Sequence, residues 1–151
     1  MIVRTAMVSD ISRLMEIRGS VIENRLSNPA RFSVNDYTYY LKAPCRTWIT
    51  VQDEVIIGFC SIDPTRQNVW ALFVDPLYER KGAARYLMQA ALFWYFSRSK
   101  ETLWLTTDPG TRAERFYRSA GFQEVENPGS SEVRFEMNFS LWNSLYGMGH
   151  P

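Results

Sequence analysis

The sequence predicts an α/β protein of the α+β type, with one mixed, mostly antiparallel sheet of about seven strands and helices on both faces. Three observations lead there. The segments run strand, helices, three strands, helix, strand, helix, two strands. Turn signals at Asp53-Glu54 and at "NPGSS" fold neighbouring strands back as hairpins, and the stretch from "NVWALFV" through a helix to "TLWLTT" requires one parallel crossover. A length of 151 residues suits a single domain over 1–151, able to bury a core without disulfides or metal.

"IVRT" is a short first strand. Ser9 or Asp10 then caps a helix whose face carries Ile11, Leu14, Met15, Val21 and Ile22, and "ENRLSNPARF" interrupts with loop signals. Ser33 and Asp36 stand in capping-box spacing and open a second helix through "SVNDYTYYLKA". "TWITVQ" and "VIIGFCSID" are β-branched and aromatic strands, and "NVWALFV" is apolar enough to predict burial on both faces. After Gly82 a helix presents Leu87, Ala90, Ala91 and Trp94 to the core. "TLWLTT" is a fifth strand, "TRAERFYRSAG" a helix stopped by Gly121, and "FQEVE" with "EVRFEMNF" a closing hairpin.

Composition excludes several classes of function. The chain has 17 basic and 16 acidic residues, so no nucleic-acid or acidic-membrane partner is implied. Cys45 and Cys60 form no paired framework and lack metal-site spacing, which predicts a reducing compartment. "MIVRTAMVSD" contains no apolar signal core and no window reaches membrane-span length, so the expected location is cytoplasmic. The only histidine is His150, a poor basis for a histidine-dependent hydrolase or a His-ligated metal site, and no metal is expected. The chemistry falls to carboxylates, tyrosines, backbone groups or a bound cofactor.

The segment "VDPLYERKGAARYLMQAAL" joins the fourth strand to its helix. A crossover sets the N-terminus of that helix beside the C-terminal edge of the sheet, with N–H groups unused inside the helix. Gly82, Ala83 and Ala84 would let a diphosphate approach the backbone, while Arg80, Lys81, Arg85 and the helix dipole favour its charge. Taken alone, the same residues also describe a solvated helix cap.

A second segment, "TDPGTRAERFYRSAGFQEV", narrows the choice. Together the two resemble the acyl-CoA-binding half of the GNAT N-acetyltransferase superfamily. Val74, Pro76, Gly82 and Ala84 match that family's first motif, and Ala113, Tyr117, Gly121 and Phe122 match its second. Glu79 departs from the usual Gln or Arg, and Gly110 stands where an Asn often begins the second motif.

The resemblance implies acetyl-CoA as co-substrate, strands four and five splaying into a V after Phe73 and Val74, and pantetheine inserted between them. It implies a backbone N–H near Val74 for the thioester oxygen and Tyr117 as donor to the departing thiolate, since a phenol near pKa 10 can serve a thiol near 8.5. Tyr117 could equally be a core aromatic. Glu23, Asp63 and Asp108 are the candidates for a general base, and the ordinary reading of each is a surface charge or cap. The acceptor is an amine-bearing small molecule or protein, held by "ENRLSNPARFSVNDYTYY", Trp70 and the final hairpin, whose rings and acids suit a cation, although most of Phe32, Tyr37, Tyr39 and Tyr40 are expected to pack the second helix onto the sheet. A homodimer is compatible with this reading. The alternative function is a non-catalytic acyl-CoA sensor or interaction module of the same fold.

Overall fold

The computed structural model describes residues 1–21 and 32–147. Its elements are β1 (Ile2–Thr5), α1 (Ile11–Ser20), α2 (Val34–Leu41), β2 (Arg46–Gln52), β3 (Val55–Asp63), β4 (Asn68–Val74), α3 (Ala83–Phe96), β5 (Leu103–Thr107), α4 (Arg112–Ser119), β6 (Gln123–Val125), β7 (Val133–Met137) and α5 (Phe139–Tyr146). The seven strands form one sheet in the order β1-β2-β3-β4-β5-β7-β6. All neighbours are antiparallel except β4 and β5. No helix among the described residues is long and apolar enough to cross a membrane.

Local chemistry explains most boundaries. Asp53 and Glu54 both have positive φ, 50° and 67°, the backbone that a two-residue hairpin turn needs to match strand twist. The capping box opens α2 as expected: Ser33 N–H donates to Asp36 at 2.7 Å, and Asp36 N–H returns a bond to Ser33 Oγ. Neither Ser9 nor Asp10 caps α1 through its side chain. The Asp10 carboxylate acts one turn earlier, accepting from Met7 N–H at 2.8 Å and from Arg4 at 3.0 Å to close the turn Val8–Asp10.

The sheet separates two apolar clusters. On one face α1 and α2 bury Ile11, Leu14, Ile17 and Tyr37 against Ile49, Phe59 and Ala71. Ile17 joins the expected stripe, whereas Val21 lies past the helix end and Ile22 lies outside the described residues. On the other face α3 packs Leu87, Met88, Ala91, Leu92 and Tyr95 over Cys60, Leu103 and Phe135. Ala90 and Trp94 sit at the margin of this stripe, because the 3.6-residue period carries the buried face through Met88 and Tyr95.

Two expectations change. Burial on both faces belongs to β3, where Ile57 to Asp63 are all buried, whereas Trp70 and Leu72 to Val74 of β4 stay partly exposed. The reason is the neighbour of β4, which departs from it. The chain after Met137 also adds a helix, α5, that strand periodicity did not suggest. Asn138 caps it by accepting from Leu141 N–H at 2.8 Å, and Trp142 stacks on Phe96 with ring centres 5.3 Å apart.

Candidate active site

The strands β4 and β5 are joined at one end only. Asn68 pairs with Trp104, Trp104 N–H donates to Gln67 C=O at 2.9 Å, and the Trp104 indole N–H donates to Arg66 C=O at 2.9 Å. Beyond this clasp no ladder continues, so the strands form the open V expected above. Asp75 N–H donates to Ile57 C=O, and Phe73 lies opposite Phe59. Antiparallel alternation then turns the N–H and C=O groups of Leu72 and Val74 away from β3 and into the V.

The turn after β4 is held by Asp75. Its carboxylate accepts from Leu77 N–H at 3.0 Å and from the Arg13 guanidinium at 2.7 Å, while Arg13 also donates to Ile56 C=O at 2.9 Å. Arg80 at φ 65° and Gly82 at φ 87° then bring the chain to the start of α3. A left-handed conformation costs a non-glycine residue about 1 kcal/mol or more. Tyr86 N–H makes the first intrahelical bond, to Gly82 C=O, which leaves the N–H groups of Ala83, Ala84 and Arg85 unused within the helix.

These elements wall a cavity of about 470 Å³. Phe73, Val74, Arg80, Gly82, Ala83, Ala84 and Arg85 line it, as do Ala113 and Tyr117 of α4. Lys81 is exposed and lies outside the lining. Sequence reasoning missed Arg112, which forms an ion pair with Glu79 at this cavity. Nothing in the spacing of two residues on separate segments announces such a pair.

The two departures from the motifs have local explanations. Glu79 faces Arg112. Gly110 has φ 75° and donates its N–H to Glu114 at 2.8 Å ahead of α4, whose N-cap Thr111 accepts from Glu114 N–H. Asn is among the few non-glycine residues that tolerate this backbone, so Gly110 keeps the turn and loses only a side chain.

Tyr117 is 6% exposed, ringed by Phe116, Phe122 and Phe135 with ring centres 5.6 to 5.9 Å away, and its side chain lines two adjoining cavities. Its hydroxyl has no hydrogen-bond partner among the described residues. Burial pushes its pKa well above the ordinary phenol value, and the nearby Cys60 thiol adds to the rise. The phenol therefore remains protonated throughout the working range of an enzyme.

The second cavity, about 230 Å³, lies between β4 and β5 on the α1 side. Asp108 lines it together with Tyr117. Asp63 does not: fully buried opposite Asn68, about 20 Å along β4 from Val74, it accepts from Thr65 N–H at 2.9 Å and closes a turn. Glu23 and most of "ENRLSNPARF" lie outside the described residues.

The expected aromatic wall is present, but a protein cation already occupies it. Arg18 of α1 sits 4.3 Å from the ring centre of Phe32, 4.6 Å from Phe73 and 5.2 Å from Trp70, and Trp70 stacks on Tyr40 at 4.0 Å. These ring faces are therefore already engaged by a cation of the protein itself.

Among solved structures the fold has close counterparts. A GNAT-family acetyltransferase from Staphylococcus aureus Mu50 aligns at TM-score 0.77 and 17% identity, covering 91% of this chain and 98% of that one. The PaiA N-acetyltransferase from Thermoplasma acidophilum, solved in complex with coenzyme A, aligns at 0.73 and 15%, covering 91% and 98%. The YncA protein from Salmonella typhimurium, solved with acetyl-CoA as its cofactor, aligns at 0.74 and 17%, covering 92% and 94%. No curated protein matches. Residues 13–122, well over half the chain, match the model of the Acetyltransferase (GNAT) family, and these residues run from α1 through the V and both motif segments. The chain belongs to the GNAT family of acetyltransferases.

Proposed function

We propose that the protein moves the acetyl group of acetyl-CoA to a primary amine by direct attack within a ternary complex. The observation that carries this reading is that the N-terminus of α3 and Tyr117 line one cavity. The residues fit the co-substrate. An apolar slot beside Leu72 and Val74 suits pantetheine, and the α3 N-terminus flanked by Arg80 and Arg85 suits a diphosphate. Lys81 adds long-range attraction from outside the lining.

The bound thioester supplies an already activated acyl carbon. The protein's part is to orient it, stabilise charge and manage protons. Gly82, Ala83 and Ala84 bring their backbone close to the phosphates, and Phe73 and Val74 shape the slot in which the acyl end lies. The Val74 N–H donates to the thioester oxygen as it gains charge. A nitrogen–carbon bond forms, the carbon–sulfur bond breaks, the nitrogen gives up a proton, and the sulfur leaves as thiolate beside the Tyr117 hydroxyl before it gains one. Asp108, which lines the second cavity together with Tyr117, is the candidate to accept the amine proton directly or through water.

The test is release of free thiol from acetyl-CoA in the presence of a mixed panel of amines, with the acetylated amine identified by mass. Transfer to at least one amine, at a rate well above hydrolysis, is the expected result. Tight acetyl-CoA binding without transfer to any amine would identify a sensor instead.

A further inference from the structure

A third cavity, about 360 Å³, lies between α3, α4 and the end of α5. Arg85 and Phe116 line it as well as the first cavity, so the two adjoin beside the N-terminus of α3. Gln89 and Ser119 contribute an amide and a hydroxyl to its wall, and Tyr146 contributes a second ring. Gln89 stands about 9 Å along α3 from Ala83, at 1.5 Å per residue. Arg85 and Gln89 make no ion pair or side-chain hydrogen bond among the described residues. Tyr146 is held in place: its hydroxyl donates to Ala120 C=O, burial raises its pKa, and the charge of Arg85 opposes that rise. The residues matched to the family model end at 122, so the wall that α5 supplies lies outside them.

We propose that this cavity seats the nucleoside end of the co-substrate, with adenine against Phe116, Tyr146 and Gln89 and the ribose 3′-phosphate on Arg85. The inference rests on the placement of pantetheine and diphosphate in the reading above, and it adds a site for the other arm of the molecule. In that reading the diphosphate joins two arms, and only the pantetheine arm enters the V. The nucleoside arm leaves from the same helix end, where the third cavity begins. Aromatic rings give a base its stacking surface, and a Gln amide offers the donor and acceptor that match adenine N7 and N6. Arg85 borders both cavities, so its guanidinium can meet a phosphate on the ribose between them.

Calorimetric titrations compare acetyl-CoA with S-acetyl-4′-phosphopantetheine, which keeps the thioester arm and one phosphate and lacks the nucleoside. Acetyl-CoA should bind at least about tenfold more tightly, and adenosine 3′,5′-bisphosphate alone should bind in competition with it. Tyr146→Ala should narrow the ratio by about fivefold or more, and the milder Gln89→Leu should narrow it too. In both variants affinity for the phosphopantetheine compound should stay unchanged, which also reports an intact fold and thioester site. Arg85→Gln should bring CoA and dephospho-CoA to equal affinity. Equal binding of the two thioesters by the parent protein, or a loss in the variants that strikes both alike, overturns the proposal. The transferase reading fails separately. Preference for the nucleoside without transfer to any amine supports the seat and overturns transfer, whereas equal kcat/KM with both thioesters supports transfer and overturns the seat.

Discussion

Arg13 on α1 and Asp75 after β4 meet at 2.7 Å, tying the helix that borders the second cavity to the turn that shapes the first. Asp75 is the only link among the described residues that serves both the Leu77 N–H and an α1 side chain. Removing its carboxylate in Asp75→Ala leaves Arg13 and one backbone donor without that acceptor. Stability should fall by about 1–3 kcal/mol in a denaturant titration. Acetyl-CoA affinity should fall too, because the path of residues 76–82 is no longer fixed. Unchanged affinity would mean that the turn holds its shape through backbone bonds alone.

At Gly82 the structure makes a sharp test available. A Cβ built there meets only the Tyr86 ring, at 3.6 Å, so the protein has room for a side chain even though φ 87° disfavours one. Gly82→Val should therefore fold, with a loss of about 1–2 kcal/mol from backbone strain. Its branched side chain should nevertheless block close approach of a diphosphate, weakening acetyl-CoA at least about tenfold. Native affinity in the folded variant would move the phosphate site away from α3.

The Glu79 carboxylate puts a negative charge where the proposed diphosphate arrives, and it engages Arg112. Glu79→Gln removes that charge and releases Arg112 toward the phosphates. CoA affinity should rise by about three- to tenfold at low salt, and the gain should shrink as added salt screens it. Calorimetric titrations at two ionic strengths read both effects. Dephospho-CoA should show a weaker salt dependence than CoA. A loss of affinity in Glu79→Gln would show that the pair orders the turn more than it repels the ligand.

Tyr117→Phe should lower kcat by about 10²- to 10⁴-fold with little change in acetyl-CoA binding, and the loss should shrink for thioesters with more acidic leaving thiols. Because the folded phenol pKa lies above its unfolded value, this group's stabilising contribution is complete below about pH 10. It is lost at higher pH, where the unfolded chain releases the proton first. The phenylalanine variant should show a shallower decline of stability above pH 10. Equal kcat in both proteins under conditions where acetyl transfer limits the rate would assign Tyr117 to the core.

Much of this protein is written locally. Hairpin residues with positive φ, the Ser33–Asp36 box, the glycine before α3 and the apolar runs each act within a few neighbours, so strand and helix order was legible in the sequence, as were the motifs around Gly82 and Tyr117. Helix α5 was legible in principle, through Asn138, but its apolar residues follow a strand without a break. Tertiary structure decided what depends on distant segments meeting. The single clasp at Asn68 and Trp104 opens the V and leaves β4 partly exposed. Register carries Asp63 to the far end of the sheet from Val74. Packing of α1 onto β4 puts Arg18, an unremarked helix cation in sequence, among Phe32, Trp70 and Phe73. A charge depends on its neighbours across the whole fold, whereas a turn depends on the next two residues, and this is why the scaffold was readable from sequence and the surroundings of Arg18 were not.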